Sequence, residues 1–204
     1  MLKHVLLFLC LIVSSSIYGQ NYLFEEDQSG FSISGLLSSS NGSTLTGIFP
    51  GYTLNGKLSL ELGIGYESDN RSNLSSTSIR PGISYLVMKQ DEYNNPVSIG
   101  LFGVYQYNTF SDLDGVTANG IQLGGAIYHE IYTSDEVSVI PEAIVGWTKQ
   151  TASIQGIDFA STTGVYYGLA GTVKFKNVYL RPSLFFSDGS SRFALSFGFL
   201  FPQS

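Results

Sequence analysis

Cysteine, charge and long apolar runs are all scarce in this chain of 204 residues. Its one cysteine, Cys10, lies inside the first apolar stretch. A chain that sheds that stretch holds no disulfide, thiol nucleophile or cysteine metal site. Charged residues make up 13% of the chain, about half the share usual in soluble domains. Ten basic residues face sixteen acidic ones, for a net charge of −6, which argues against a nucleic-acid partner. Beyond the N-terminus no stretch stays apolar for the ~20 residues that a membrane-spanning helix needs. If the chain crosses a bilayer, it must cross with strands.

The N-terminus itself reads as an export signal. Lys3 and His4 precede the apolar run 5–13, and the small residues Ser14, Ser15, Ser16 and Gly19 follow. A basic start, a short apolar core and a small-residue exit form a secretory leader, with cleavage expected after Gly19. Cys10 follows Leu9, where a lipid-modification site would want a small residue, so a lipoprotein reading is set aside. Loss of Lys3 moves the net charge from −6 to −7. The expected organisation is a leader over 1–19, a lead-in on the periplasmic side over 20–30, acidic at Glu25, Glu26 and Asp27 and expected to be mobile, and a single domain over 31–204.

Within that domain the dominant signal has period two. Over 57–67, Leu58, Leu60, Leu62, Ile64 and Tyr66 alternate with Ser59, Glu61, Gly63, Gly65 and Glu67, behind an Asn55-Gly56 turn suited to a tight hairpin. Similar alternation recurs near 31–37, 44–54, 77–88, 97–107, 118–132, 137–147, 165–175, 178–186 and 192–201. Ten strands is the count, or eight if the first two segments pair imperfectly or belong to the lead-in. The polar stretches 68–76, 108–117 and 149–161 are expected as loops outside the cell, longer than the turns at the opposite end. This describes an all-β fold, an antiparallel up-and-down transmembrane barrel with Leu58, Leu60, Leu62, Ile64, Leu101 and Phe197 facing lipid. Tyr66, Tyr105, Tyr107 and Trp147 would form one interfacial girdle, and Tyr85, Tyr132, Phe199 and Phe201 the other.

The closing run 193–201 places Phe193, Phe197, Phe199 and Phe201 on one face. It resembles the aromatic C-terminal strand of the small bacterial outer-membrane β-barrel family, often labelled porin-like. The resemblance implies insertion by the barrel-assembly machinery with help from periplasmic chaperones, and a place in the outer membrane. Pro202, Gln203 and Ser204 follow the last aromatic, a departure from the family's usual terminal Phe.

By parity Glu61, Arg80, Glu142, Lys174 and Arg181 point into the lumen. A barrel of about ten strands is only a little wider than one that side chains can fill. These charges are therefore expected to pair, Glu61 with Arg80 and Glu142 with Arg181, or else to line a narrow constriction. Pro81, Pro141 and Pro182 lack the ladder donor, so a bulge or a local kink is expected at each. His129, the sole histidine after the leader, has outward parity and no second histidine beside it, so no catalytic residue is assigned. Asp112, Asp114 and Asp158 lack the spacing of a calcium loop and read as solvated charge. No cofactor or metal is expected. The functional expectation is a monomeric, non-enzymatic outer-membrane barrel with a structural or surface-interaction role through its loops. A passive channel for small solutes or ions is the alternative, and a soluble barrel around an apolar ligand a more distant one.

Overall fold

The computed structural model describes residues 23–40, 42–70, 72–91, 93–187 and 189–203. The expected leader lies outside them. Eleven strands follow in order: β1 (Ser29–Ser40), β2 (Ser43–Leu54), β3 (Leu58–Asp69), β4 (Leu74–Met88), β5 (Ser98–Phe110), β6 (Val116–Tyr128), β7 (Ile131–Ser134), β8 (Val137–Ile154), β9 (Ile157–Phe175), β10 (Val178–Ser187) and β11 (Ser190–Gln203). Each pairs antiparallel with its chain neighbours, except that β6 pairs directly with β8 and β11 returns to β1. The sheet therefore closes on itself and leaves no lateral edge through its middle.

The short β7 is not an extra stave. It takes over from β6 alongside β8, since Tyr128 lies opposite Glu142 and Ile131 opposite Val139. The join falls at His129 and Glu130, where the Gln90 side chain completes the interrupted backbone. Its Oε1 accepts from Glu130 N at 2.7 Å, and its Nε2 donates to Glu130 O at 3.0 Å. Ten staves thus make the wall.

Burial alternates along every long stave, as pleating requires. Leu60, Leu62, Ile64, Leu101 and Phe197 are exposed on the outer face and Leu58 is half-exposed. Phe193, Phe199 and Phe201 share that face of β11. Both ends of the chain lie at one mouth of the barrel, with Ser29 opposite Gln203. This is called the near end below.

Three features differ from expectation. First, the polar far-end stretches are mostly strand: β8 and β9 run on to Ile154 and Ile157, joined by Gln155-Gly156 with both residues at positive φ (49° and 82°). The alternation continues there in polar residues, with Thr148, Gln150 and Ala152 buried inward. A strand whose outer face meets water does not have to be apolar on that face. Polarity alone therefore mimics a loop.

Second, the prolines shift no register. Pro81 lies opposite Leu62, Pro141 opposite Gly171 and Pro182 opposite Leu195, each in frame. The irregularities fall instead at Leu86/Met88, Tyr132/Ser134 and Ala152/Ser153. A proline can forgo one rung while its neighbours hold the frame. Third, the lead-in is folded inward. Leu23 and Phe24 are fully buried against Leu86, Tyr128, Ile140, Tyr179 and Leu200, because two large apolar side chains are better placed in the mouth than in water.

Candidate functional site

The lumen carries the residues with chemical potential, and inward parity on the staves dictates which they are. Inside it Arg181 on β10 and Glu142 on β8 meet across β9. Arg181 Nε donates to Glu142 Oε1 at 3.0 Å and Nη2 to Oε2 at 2.8 Å, a bidentate pair. Thr172, on the intervening β9, donates to Glu142 Oε1 at 2.7 Å. Both charged side chains are almost wholly enclosed, at 3% and 1% exposure. Three staves are thereby tied through one carboxylate.

A second bridge spans a wider chord. Arg192 on β11 donates from Nη2 to Glu67 Oε1 on β3 at 2.9 Å, and Ser43 on β2 donates to the same oxygen at 3.1 Å. Sequence reasoning placed Glu67 on the inner face but did not include this pair. The partners lie 125 residues apart, and only barrel curvature brings them together. The one signal available was Arg192's inward parity at the start of the last strand.

Of the five charges placed in the lumen by parity, Glu61 and Arg80 are set diagonally by the β3–β4 register, with Glu61 opposite Gly82 and Arg80 opposite Gly63. Arg80 is buried, and its Nε donates to Ser78 Oγ at 3.1 Å. Lys174 does not join the central pairs. It stands at the near mouth, where its Nζ donates to Leu23 O at 2.8 Å and so ties down the lead-in. Lys89 reaches toward Phe24 O at 3.4 Å from the β4–β5 connection. Burial there pulls the Lys89 ammonium below its usual range, against the opposing pull of Glu26, Glu130 and Glu25.

Aromatic rings fill much of the space between the bridges, and glycine makes the room. A Cβ at Gly63 would overlap the Phe49 ring, one at Gly124 the Phe102 ring, and one at Gly146 the Tyr166 ring. The same holds for Gly168 under Phe185 and Gly198 under Tyr179. Each ring thus lies over a bare backbone on a neighbouring stave. Phe102, Ile144, Tyr166 and Phe185 form one cluster, and Leu36, Leu45, Phe49 and Ala194 another. At the far end Leu74, Phe110, Ala118 and Ala152 close a third, with Leu113, Val116, Phe159 and Ala160 against them.

The remaining residues singled out in the sequence have structural surroundings. His129 is exposed, with Nδ1 2.6 Å from Pro96 O. Asp112 Oδ2 accepts from the Ser75 amide at 3.0 Å, and Asp158 Oδ1 accepts from Ser153 Oγ at 2.7 Å. At the near end, Asp91 accepts from the Tyr93 amide and from the Asn94 side chain, and these bonds hold its carboxyl below the usual range.

The fold is that of a closed antiparallel up-and-down barrel, the architecture of bacterial outer-membrane barrels. Among solved structures it is similar to the β domain of the Bordetella autotransporter BrkA, with 11% identity over 87% of this chain and 100% of that one and a TM-score of 0.56. It is also similar to a bacterial polysaccharide outer-membrane secretin, with 9% identity over 84% of this chain and 65% of that one and a TM-score of 0.51. No family model matches the chain, and no curated protein matches it in sequence.

Proposed function

We propose that this protein is an integral barrel of the bacterial outer membrane, monomeric and non-enzymatic, with a sealed lumen. Its near end faces the periplasm, and its tall far-end hairpins stand outside the cell. The band of exposed Leu, Ile, Val and Phe side chains supports the membrane assignment, because water offers no partner for so continuous a surface. From Leu58 to Tyr66 a stave climbs about 27 Å, or about 20 Å along a membrane normal at ~40° tilt, close to the apolar height such barrels need. Tyr66, Tyr105, Tyr107 and Trp147 are exposed at the far margin of that band, and Tyr85, Tyr132, Phe199 and Phe201 toward the near margin. In this reading the leader directs export. The Phe193, Phe197, Phe199 and Phe201 face of β11 would then be what the assembly machinery and its chaperones engage.

The observation that carries the sealed lumen is that buried side chains tie its staves together from the inside. Arg181–Glu142–Thr172 joins β8, β9 and β10, Arg192–Glu67–Ser43 joins β11, β3 and β2, and rings packed over glycines take up space between neighbouring staves. The role is then structural, with the far-end hairpins as the surface available to partners. Conductance of the refolded protein in a planar bilayer tests this. A heat-modifiable barrel that inserts without current steps is the expected result. Steady steps altered by Glu142→Gln or Arg181→Met would overturn the sealed lumen in favour of a narrow passive channel.

A further inference from the structure

The wall of the barrel has one abrupt step. β9 begins at Ile157, but among the described residues its ladder with β10 reaches only as far as Tyr166 opposite Ser187. On its other side β9 stays paired with β8 up to Ile157 opposite Ile154. The run 157–164 is therefore a sheet edge with one side open, and no other described strand pairs with it. At 3.3 Å per residue this edge is about 26 Å long.

Parity identifies which groups it offers. The two-residue turn at Lys176-Asn177 makes Phe175 and Val178 the hydrogen-bonded closing pair, and the β9–β10 register is unbroken above it. Thr163 and Ser161 share the parity of Phe175, so their N–H and C=O groups point away from β8. The usual protections of an edge are sparse here. The run has no proline and no lysine, and its only charge is Asp158. The one irregularity, at Ala152/Ser153, leaves 160–165 in regular register. Behind the edge, Phe159 and Ala160 pack on the Phe110, Ala118 and Ala152 cluster, which holds the strand stiff and already extended.

We propose that the upper edge of β9 is a docking site for an extended, basic peptide segment of a partner protein, which adds to the sheet as a further antiparallel strand. The proposal rests on the membrane reading above, and the edge agrees with it: unpaired backbone cannot face hydrocarbon, so 157–164 must stand beyond the bilayer. A second copy in the same membrane does not fit. Two staves tilted ~40° and related by an axis along the normal would cross at about 80° instead of lying antiparallel. Basic chemistry follows from the acids at the hairpin tips, Asp112, Asp114 and Asp158. They outnumber Lys149, the one basic side chain on the upper parts of β5, β6, β8 and β9, placed opposite Thr163 on the side away from the open edge.

The test uses the full chain refolded in detergent micelles and a fluorescent nine-residue peptide of alternating Thr and Val with Lys at both ends. Saturable binding is expected, weakened at least tenfold by N-methylation of alternate peptide amides and reduced by Glu in place of the terminal Lys residues. Thr163→Pro removes one outward N–H and leaves the β8 ladder intact, so it should keep the heat-dependent gel shift and lose at least tenfold in affinity. Ser161→Pro is the second variant, with the same expectation. A folded wild-type barrel that ignores the peptide, or folded variants that bind it as well as wild type, would overturn the docking site alone. A wild-type chain that shows no heat-dependent shift and no insertion would overturn the membrane reading beneath it.

Discussion

Replacing Arg181 with Met isolates the energetics of the sealed lumen. At 2.8 Å the Arg181–Glu142 attraction is about 6 kcal/mol at an effective dielectric near 20. The cost of stripping water from each ion is also several kcal/mol, so the pair as a whole is worth little net stability. Its two halves are very unequal to their sum. Arg181→Met leaves the Glu142 carboxylate enclosed with the Thr172 hydroxyl as its remaining described donor to Oε1, and should cost about 3–5 kcal/mol. Glu142→Gln in the Arg181→Met background removes the stranded charge and should recover most of that loss. Urea unfolding of the refolded protein, followed by tryptophan fluorescence of Trp147 and by heat-modifiable mobility, measures both steps. A single variant that loses less than about 1 kcal/mol, or a double variant no better than the single, would refute the reasoning. Either result would mean that water reaches the carboxylate and that the lumen is wetter than its packing implies.

The outer face should tolerate charge by height alone: Leu62→Arg should cost roughly 2–4 kcal/mol at mid-band, whereas Thr163→Arg, above it, should cost close to nothing in the same unfolding assay. Gly146→Val drives side-chain atoms into the Tyr166 ring and should destabilise by about 1–3 kcal/mol. Adding Tyr166→Ala should make the Gly146→Val step cheaper, as a double-mutant cycle would reveal. Phe24→Ala empties a buried site in the near mouth and should cost up to about 3–5 kcal/mol while leaving the bilayer without current steps, because the bridges above it remain. The Asp91 turn should be acid-labile. Its carboxyl is held below the usual 3.8, so the turn's stabilisation is present above that value and fades as pH falls through the lower folded-state pKa, which the Tyr93 amide shift would report by NMR.

Much of this was legible because the two faces of each stave carry different chemistry, apolar outside and small, polar or charged inside. Along β3 the outward set Leu58, Leu60, Leu62, Ile64 and Tyr66 could be read directly, and its opposite parity located Glu61 and Glu67. The same parity located Arg80, Glu142 and Arg181, and it signalled a barrel before any contact was known. The far-end hairpins were not legible in this way. From Thr148 to Thr163 the outer face of β8 and β9 carries Lys149, Thr151, Ser161 and Thr163. The few apolar side chains that pack inward, Ala152, Phe159 and Ala160, fall out of step at the Ala152/Ser153 irregularity, so the regular apolar half of the pattern that marks a strand is missing. The Gln155-Gly156 turn was the available clue, since a Gly at positive φ suits a tight hairpin.

The amino-acid order by itself determined the period of the strands, the face each side chain takes and the small residues beneath the rings, since all of these follow from local geometry. Tertiary structure alone decided the rest. Closure put Arg192 beside Glu67 and bent Leu23 and Phe24 into the mouth. It also ended the β9–β10 ladder at Tyr166, leaving an open edge above it. Each of these depends on where distant staves stand around a closed ring, and period-two alternation carries no information about distance across it.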